Sequence, residues 1–133
     1  MAALCVGDGR SRTVGLVHPV LAAEALAFAL ASLVHRGWIV AGYAHDAAAT
    51  AETVIAAVLL AGLALGVIRP ARARAVGLAA QAFALLGTLV GLFAVIRGFG
   101  PQTQADLVYH VAMVAALAAG LVAVARTGRP ATA

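Results

Sequence analysis

The chain has 133 residues, of which 64% are hydrophobic and 11% charged. A soluble domain carries about 25% charged residues, and too few polar side chains exist here to coat a fold of this size, so a water-soluble globular domain is excluded. The net charge of +4 does not point to nucleic acid: its nine basic residues are all Arg, they gather at the ends of apolar stretches, and no basic run has interleaved aromatics.

A membrane-spanning helix needs about 20 mostly apolar residues, and four segments satisfy this. The first runs from Val14 to Val34, interrupted by His18, Pro19 and Glu24. Pro19 is expected in its first turn, where a missing N–H costs little. The polar stretch ahead of it, including Gly7-Asp8-Gly9, reads as a disordered tail. No small-x-small cleavage site follows, so the segment reads as an uncleaved first helix. Cys5 is the only cysteine. One thiol excludes an oxidoreductase that uses paired cysteines, and no signal peptide precedes it that would make it a lipoprotein anchor.

The second segment runs from Ala47 to Ile68, interrupted only by Glu52, with Asp46 as its expected cap. Arg69-Pro70 ends it, since Pro cannot continue a helix without losing a hydrogen bond. The third, Ala75 to Ile96, contains no charge and stops at Gly98-Phe99-Gly100-Pro101. The fourth, Leu107 to Ala125, contains His110; Thr103 and Asp106 ahead of it have the spacing of a capping box. The apolar runs are too long for strands and lack their period of two. The expected fold is an all-α, up-down-up-down bundle of four transmembrane helices, about 14–36, 47–68, 72–96 and 104–125, between a polar tail at 1–13 and another at 127–133.

Orientation follows from Arg. Arg10, Arg12, Arg69, Arg72, Arg74, Arg126 and Arg129 share one side, whereas Arg36 and Arg97 lie on the other. This bias places both termini in the cytoplasm. The Arg-only, Ala/Val/Leu/Gly-rich composition reads as that of a GC-rich bacterial genome, so the expected location is the inner membrane, multi-pass. Trp38, Tyr43, Phe99 and Tyr109 fall near the outer ends, where amphipathic rings favour the headgroup layer. Arg36-Gly37-Trp38 and Arg97-Gly98-Phe99 form a short internal repeat, suggesting two hairpins of like orientation.

Helix association in lipid depends on close packing of small residues. Ala80, Ala84, Gly87 and Gly91 form one seam on the third helix, and Gly62 and Gly66 form a GxxxG pair on the second. Ala112, Ala116 and Gly120 lie on the fourth. These seams serve either packing within the chain, the favoured reading, or a homo-oligomer or larger membrane complex.

Ionisable residues inside a membrane are costly and are candidate sites. Glu24 shares a helix face with Phe28, Ala31 and His35; it is a proton- or cation-binding carboxylate, or a neutral carboxyl hydrogen-bonded to a neighbour such as Gln81. Glu52 is a candidate ligand, or a carboxylate steadied by the helix N-terminus. His110 has Asp106 one turn before it and Tyr109 beside it, which would leave a ring nitrogen free for a ligand or a proton. His18 reads as interfacial. Glu52, His110, Asp106, His35, His45 and Asp46 share the outer end and are metal-ligand types, yet no HxxxH, ExxH or CxxC spacing occurs, so no metal set is assigned. A bis-His haem between His110 and His35 or His45 is a further reading. No phosphate loop, Ser-His-Asp set or catalytic carboxylate pair is present.

Glu52 to Gly91 resembles the DoxX-like group of small four-helix bacterial membrane proteins: a Glu early in helix two, Leu59-Leu60-Ala61-Gly62-Leu63, then Arg69-Pro70-Ala71 before helix three. The first helix, with Glu24 and His35-Arg36, lies outside that resemblance. It implies a membrane-embedded subunit linked in some members to redox or quinone chemistry. Glu24 also makes the first helix similar to that of small multidrug-resistance transporters, which implies a proton-coupled, oligomeric exporter; the other helices do not match that group. The reading drawn from the whole chain is a membrane subunit or accessory protein without a soluble catalytic domain. The alternatives are an outer-leaflet ligand, metal, quinone or haem site on Glu52 and His110, and a transporter using Glu24.

Overall fold

Backbone hydrogen bonds cannot be left open in hydrocarbon, so apolar segments of this length must be helical. The computed structural model, which describes the backbone of residues 8–127 and the side chains of 15–127, has four long helices and no strand among those residues. They are α1 (Asp8–His35), α2 (Asp46–Ile68), α3 (Ala73–Ile96) and α4 (Gln104–Arg126), with a 3-10 turn at Pro70–Arg72 between α2 and α3. All four are long and apolar enough to cross a membrane, and only 22–33% of each span is buried inside the bundle. The remainder is apolar surface, including Leu26, Leu86, Val90 and Ile68, all more than half exposed. Lipid is the solvent that such a surface requires.

Two expectations about α1 need correction. It is already helical at Asp8, the first described residue, rather than from near Val14, so Asp8 and Gly9 lie in helix and not in a disordered tail. No proline stands between Asp8 and Thr13 to interrupt it. Pro19 consequently lies inside the helix, a position tolerated in membrane helices because neighbours re-satisfy the freed carbonyl. Gly7, Cys5 and Arg129 lie outside the described residues.

Successive helices are antiparallel neighbours. His35 at the end of α1 meets Glu52 near the start of α2, and His18 near the start of α1 meets Gly66 near the end of α2. Val17, Leu21, Phe28, Leu59, Leu117 and Val124 fill the core. The small-residue seam of α3 is used inside the chain: a Cβ on Gly62 would stand 2.8 Å from that of Ala80, one on Gly87 2.9 Å from Ile55 Cδ1, and one on Gly91 2.8 Å from His110 Nε2. A Leu at Gly91 should therefore lower thermal stability in detergent by about 1–3 kcal/mol, the usual range for overpacking. Val90→Leu, on the 61% exposed neighbouring position, should leave the melting curve unchanged.

The Arg-Gly-aromatic repeat has a local cause. Gly37 (φ 71°) and Gly98 (φ 80°) are both left-handed. The Gly37 and Trp38 N–H groups donate to the carbonyls of Val34 and Leu33, and those of Gly98 and Phe99 donate to Val95 and Ala94. Both are Schellman helix ends, which need a residue free of Cβ strain at that position. Arg36 stacks on Trp38 at 5.8 Å, while Arg97 turns back onto Phe93 at 5.6 Å. Trp38 and Phe99 are 75% and 72% exposed. Tyr109 is not: its hydroxyl is buried.

The starts of α2 and α4 also correct two expectations. His45, not Asp46, caps α2, its Nδ1 accepting the Ala48 N–H at 3.2 Å. Extended backbone at His45 turns the imidazole over the first turn, while Asp46 already lies in the helix. Thr103 caps α4 through the Asp106 N–H at 3.2 Å. Only half of the capping box forms, because the Asp106 carboxylate is drawn elsewhere. Glu52 and His110 each stand seven residues after their cap residue, so the two hairpins bring them to the same level.

Candidate functional site

His35 closes α1, and the loop that follows holds it there: the His45 N–H donates to the His35 carbonyl at 2.7 Å, and the Tyr43 ring stacks on the imidazole at 5.8 Å and 27°. The imidazole, 2% exposed, lies between two carboxylates. Its Nδ1 is 2.8 Å from Glu52 Oε2 on α2, and its Nε2 is 3.0 Å from Asp106 Oδ1 on α4. Glu52 and Asp106 are themselves buried, at 5% and 3% exposure.

A hydrogen bond needs one proton, so two are required between these three side chains. Either an imidazolium donates both, or a neutral imidazole donates one and a carboxyl donates the other. Both forms hold the same protons and a net charge of −1. Asp106 is better served than Glu52. It also accepts the Tyr43 hydroxyl at 2.8 Å and the Thr103 hydroxyl, whereas Glu52 Oε1 is buried without a partner. The charge is therefore held best at Asp106, and Glu52 is the member with capacity to spare. Burial, and then the Asp106 carboxylate, lift the Tyr43 hydroxyl above the ordinary phenol range despite its bond with Thr103. Tyr43 thus stays an O–H donor at neutral pH.

On the Glu52 side lies an apolar cleft of about 190 Å³, walled by Phe28, Ile55, Gly87, Gly91 and Val95. Glu52, Tyr109 and His110 line it as well. The Tyr109 hydroxyl is buried without a partner, and its ring packs edge-on against Phe28 and His110. His110 corrects an expectation: its Nδ1 donates to the Asp106 backbone carbonyl at 2.8 Å, not to that residue's carboxylate, because His35 already holds the carboxylate. A carbonyl can only accept, so Nδ1 bears the hydrogen and a neutral ring presents bare Nε2 toward Gly91. On the other flank, a groove of about 290 Å³ is lined by His35, Tyr43 and Asp106 with Ala31, Val34 and Val40. The His35 cluster and Tyr109, which lines both, stand between the two spaces.

Glu24 stands apart. Its carboxylate oxygens accept the Gln81 amide at 2.9 and 3.2 Å, the partner expected from the sequence. Gly120 makes room for the pair: a Cβ there would meet Gln81 Nε2 at 2.5 Å and Glu24 Oε1 at 2.6 Å. Nearer the other end, His18 Nε2 is buried against Gly66 with no partner, so His18 is packed rather than interfacial.

Of the six candidates, Glu52, His35 and Asp106 form one cluster, Tyr109 and His110 line the adjoining cleft, and Glu24 is elsewhere. Tyr43 and Thr103 were missed as cluster members. Thr103 had a signal in its capping spacing, and Tyr43 had none, since only the folded loop brings it back. Among the described residues no three His, Cys, Asp or Glu side chains are disposed around a common metal point. A bis-His haem through His35 does not fit, since both its nitrogens are engaged; His45 and His110 both line the cleft, but it is smaller than the ~300–1,000 Å³ of ordinary ligand sites. An apolar cavity of ~150 Å³ accepts benzene, so the space suits one substituted ring. No family model, curated protein or solved structure matches the chain.

Proposed function

We propose that this is a multi-pass membrane protein with both termini in the cytoplasm, whose outward end binds a single-ring lipophile with hydrogen-bond-donating hydroxyls, of the hydroquinone or phenol class. One observation carries the reading. Glu52 Oε1 and the Tyr109 hydroxyl, both buried and unpartnered, line an apolar ring-sized cleft beside the His110 Nε2 acceptor. Each unmet buried group costs ~1–3 kcal/mol, a cost that a ligand hydroxyl would remove. Glu52 and His110 accept, and Tyr109 donates. The apolar wall takes the ring, and the surrounding bilayer takes any tail. The DoxX-like resemblance, which implies redox or quinone chemistry in some members, agrees with this ligand class.

Trimethylhydroquinone, kept reduced, should bind saturably to the protein in lipid nanodiscs when followed by calorimetry. Its dimethyl ether, which lacks both donors, should bind at least tenfold more weakly. Glu52→Gln should weaken the hydroquinone about 10–100-fold, the equivalent of one charge-assisted hydrogen bond. Equal binding of hydroquinone and ether, or none of either, would overturn the reading.

A second reading, a subunit or accessory protein of a larger membrane complex, is favoured by the connections. Residues 36–45 and 97–103 are too short to hold a soluble domain. Such a subunit would bring the ring site to a partner that acts on the ligand.

A further inference from the structure

We propose that Glu52, His35 and Asp106 form a proton relay, which sets the protonation of Glu52 in the cleft from the groove on the opposite flank. The proposal rests on the ligand reading above only for what Glu52 exchanges protons with. The relay itself rests on a continuous path: Glu52 Oε2 to His35 Nδ1 at 2.8 Å, His35 Nε2 to Asp106 Oδ1 at 3.0 Å, and Asp106 Oδ2 to the Tyr43 hydroxyl at 2.8 Å. Its first member faces the cleft and its last three face the groove.

The step balances within the chain. When a neutral His35 bears its proton on Nε2, the Glu52 O–H bond breaks as an N–H bond forms at Nδ1. The Nε2–H bond then breaks as an O–H bond forms at Asp106, which gives that proton to the groove. His35 ends neutral with its proton on the other nitrogen, and Glu52 ends as a carboxylate. A proton entering from the groove at Nε2 drives the reverse and restores the Glu52 carboxyl. An imidazole can do this because each nitrogen can be donor or acceptor; an amide cannot. The neighbouring ionisable groups leave the path uncontested. Arg36 gives its guanidinium to Thr53 and the Trp38 face, His45 holds the Ala48 N–H, and His110 holds the Asp106 carbonyl. Tyr109 lines both spaces, but its hydroxyl makes no hydrogen bond to any member of the path.

The test uses the full chain in lipid nanodiscs, with protons released by flash photolysis of a caged acid and the carboxyl C=O band followed by time-resolved infrared spectroscopy. The Glu52 band is the one that Glu52→Gln removes. In the native chain it should rise directly after the flash. His35→Gln, which can bond both carboxylates but cannot pass a proton, should slow that rise at least tenfold. Asp106→Asn should do the same, and decides the matter if His35→Gln does not fold. Unchanged rates in the folded variants, or no band that Glu52→Gln removes at any pH, would overturn the relay. Trimethylhydroquinone binding on the same samples separates the two ideas. Intact binding with an unchanged rise sinks the relay alone, and a slowed rise without binding sinks the ligand reading alone.

Discussion

His35→Leu should cost the fold about 3–5 kcal/mol, the range for removing one partner from a buried ionic set. The Leu leaves Glu52 and Asp106 facing each other with no donor between them, in a place where 3% and 5% exposure gives water little access. Asp106 keeps Tyr43 and Thr103, so the loss falls mainly on Glu52, which then has no partner at either oxygen. Adding Glu52→Leu should recover part of the loss, because apolar replacement of a whole buried polar set is often close to neutral. Unfolding of the single and double variants in mixed micelles checks both statements. Strict additivity would mean that the two side chains are not energetically coupled.

Gly120→Ala should disturb the Glu24–Gln81 pair. Its methyl would stand 2.5 Å from Gln81 Nε2 and 2.6 Å from Glu24 Oε1, so the pair must part or α4 must withdraw. Overpacking contributes ~1–3 kcal/mol, and the lost hydrogen bond about 1 kcal/mol more. In a Gln81→Ala background the same methyl should be much less harmful. That shortfall from additivity, measured by a double-mutant cycle, separates crowding of this pair from a general intolerance of α4.

Much of this molecule was legible before its structure. Hydropathy gave the four spans because lipid leaves the backbone no alternative to a helix. Arg69-Pro70 and the two glycine turns marked the ends of α2, α1 and α3 correctly, since Pro and left-handed Gly act on their own few residues. The Glu24–Gln81 bond was one of the alternatives the sequence left open for Glu24, because few polar groups exist at that depth to choose from. The cluster at the other end was only partly foreseen. Glu52, His35 and Asp106 were named separately, but Asp106 was paired with His110, its neighbour one turn on, instead of with His35 on α1. Helical periodicity reveals neighbours on one helix and is silent about which face of one helix meets another. Tyr43 and the His45 cap were missed for a related reason: a loop's path depends on what it folds against.

Two of the buried polar bonds across the bundle, Glu24 to Gln81 and His35 to Asp106, join its first half to its second. Glu24 and His35 come from α1, Gln81 from α3 and Asp106 from α4, while each half is finished at its turn by its own glycine latch. A chain severed within Pro70–Arg72 should therefore yield two fragments that insert separately and find each other in the bilayer. Mating would be selective, because only the correct pairing satisfies both an acid buried in mid-span and an imidazole at the rim.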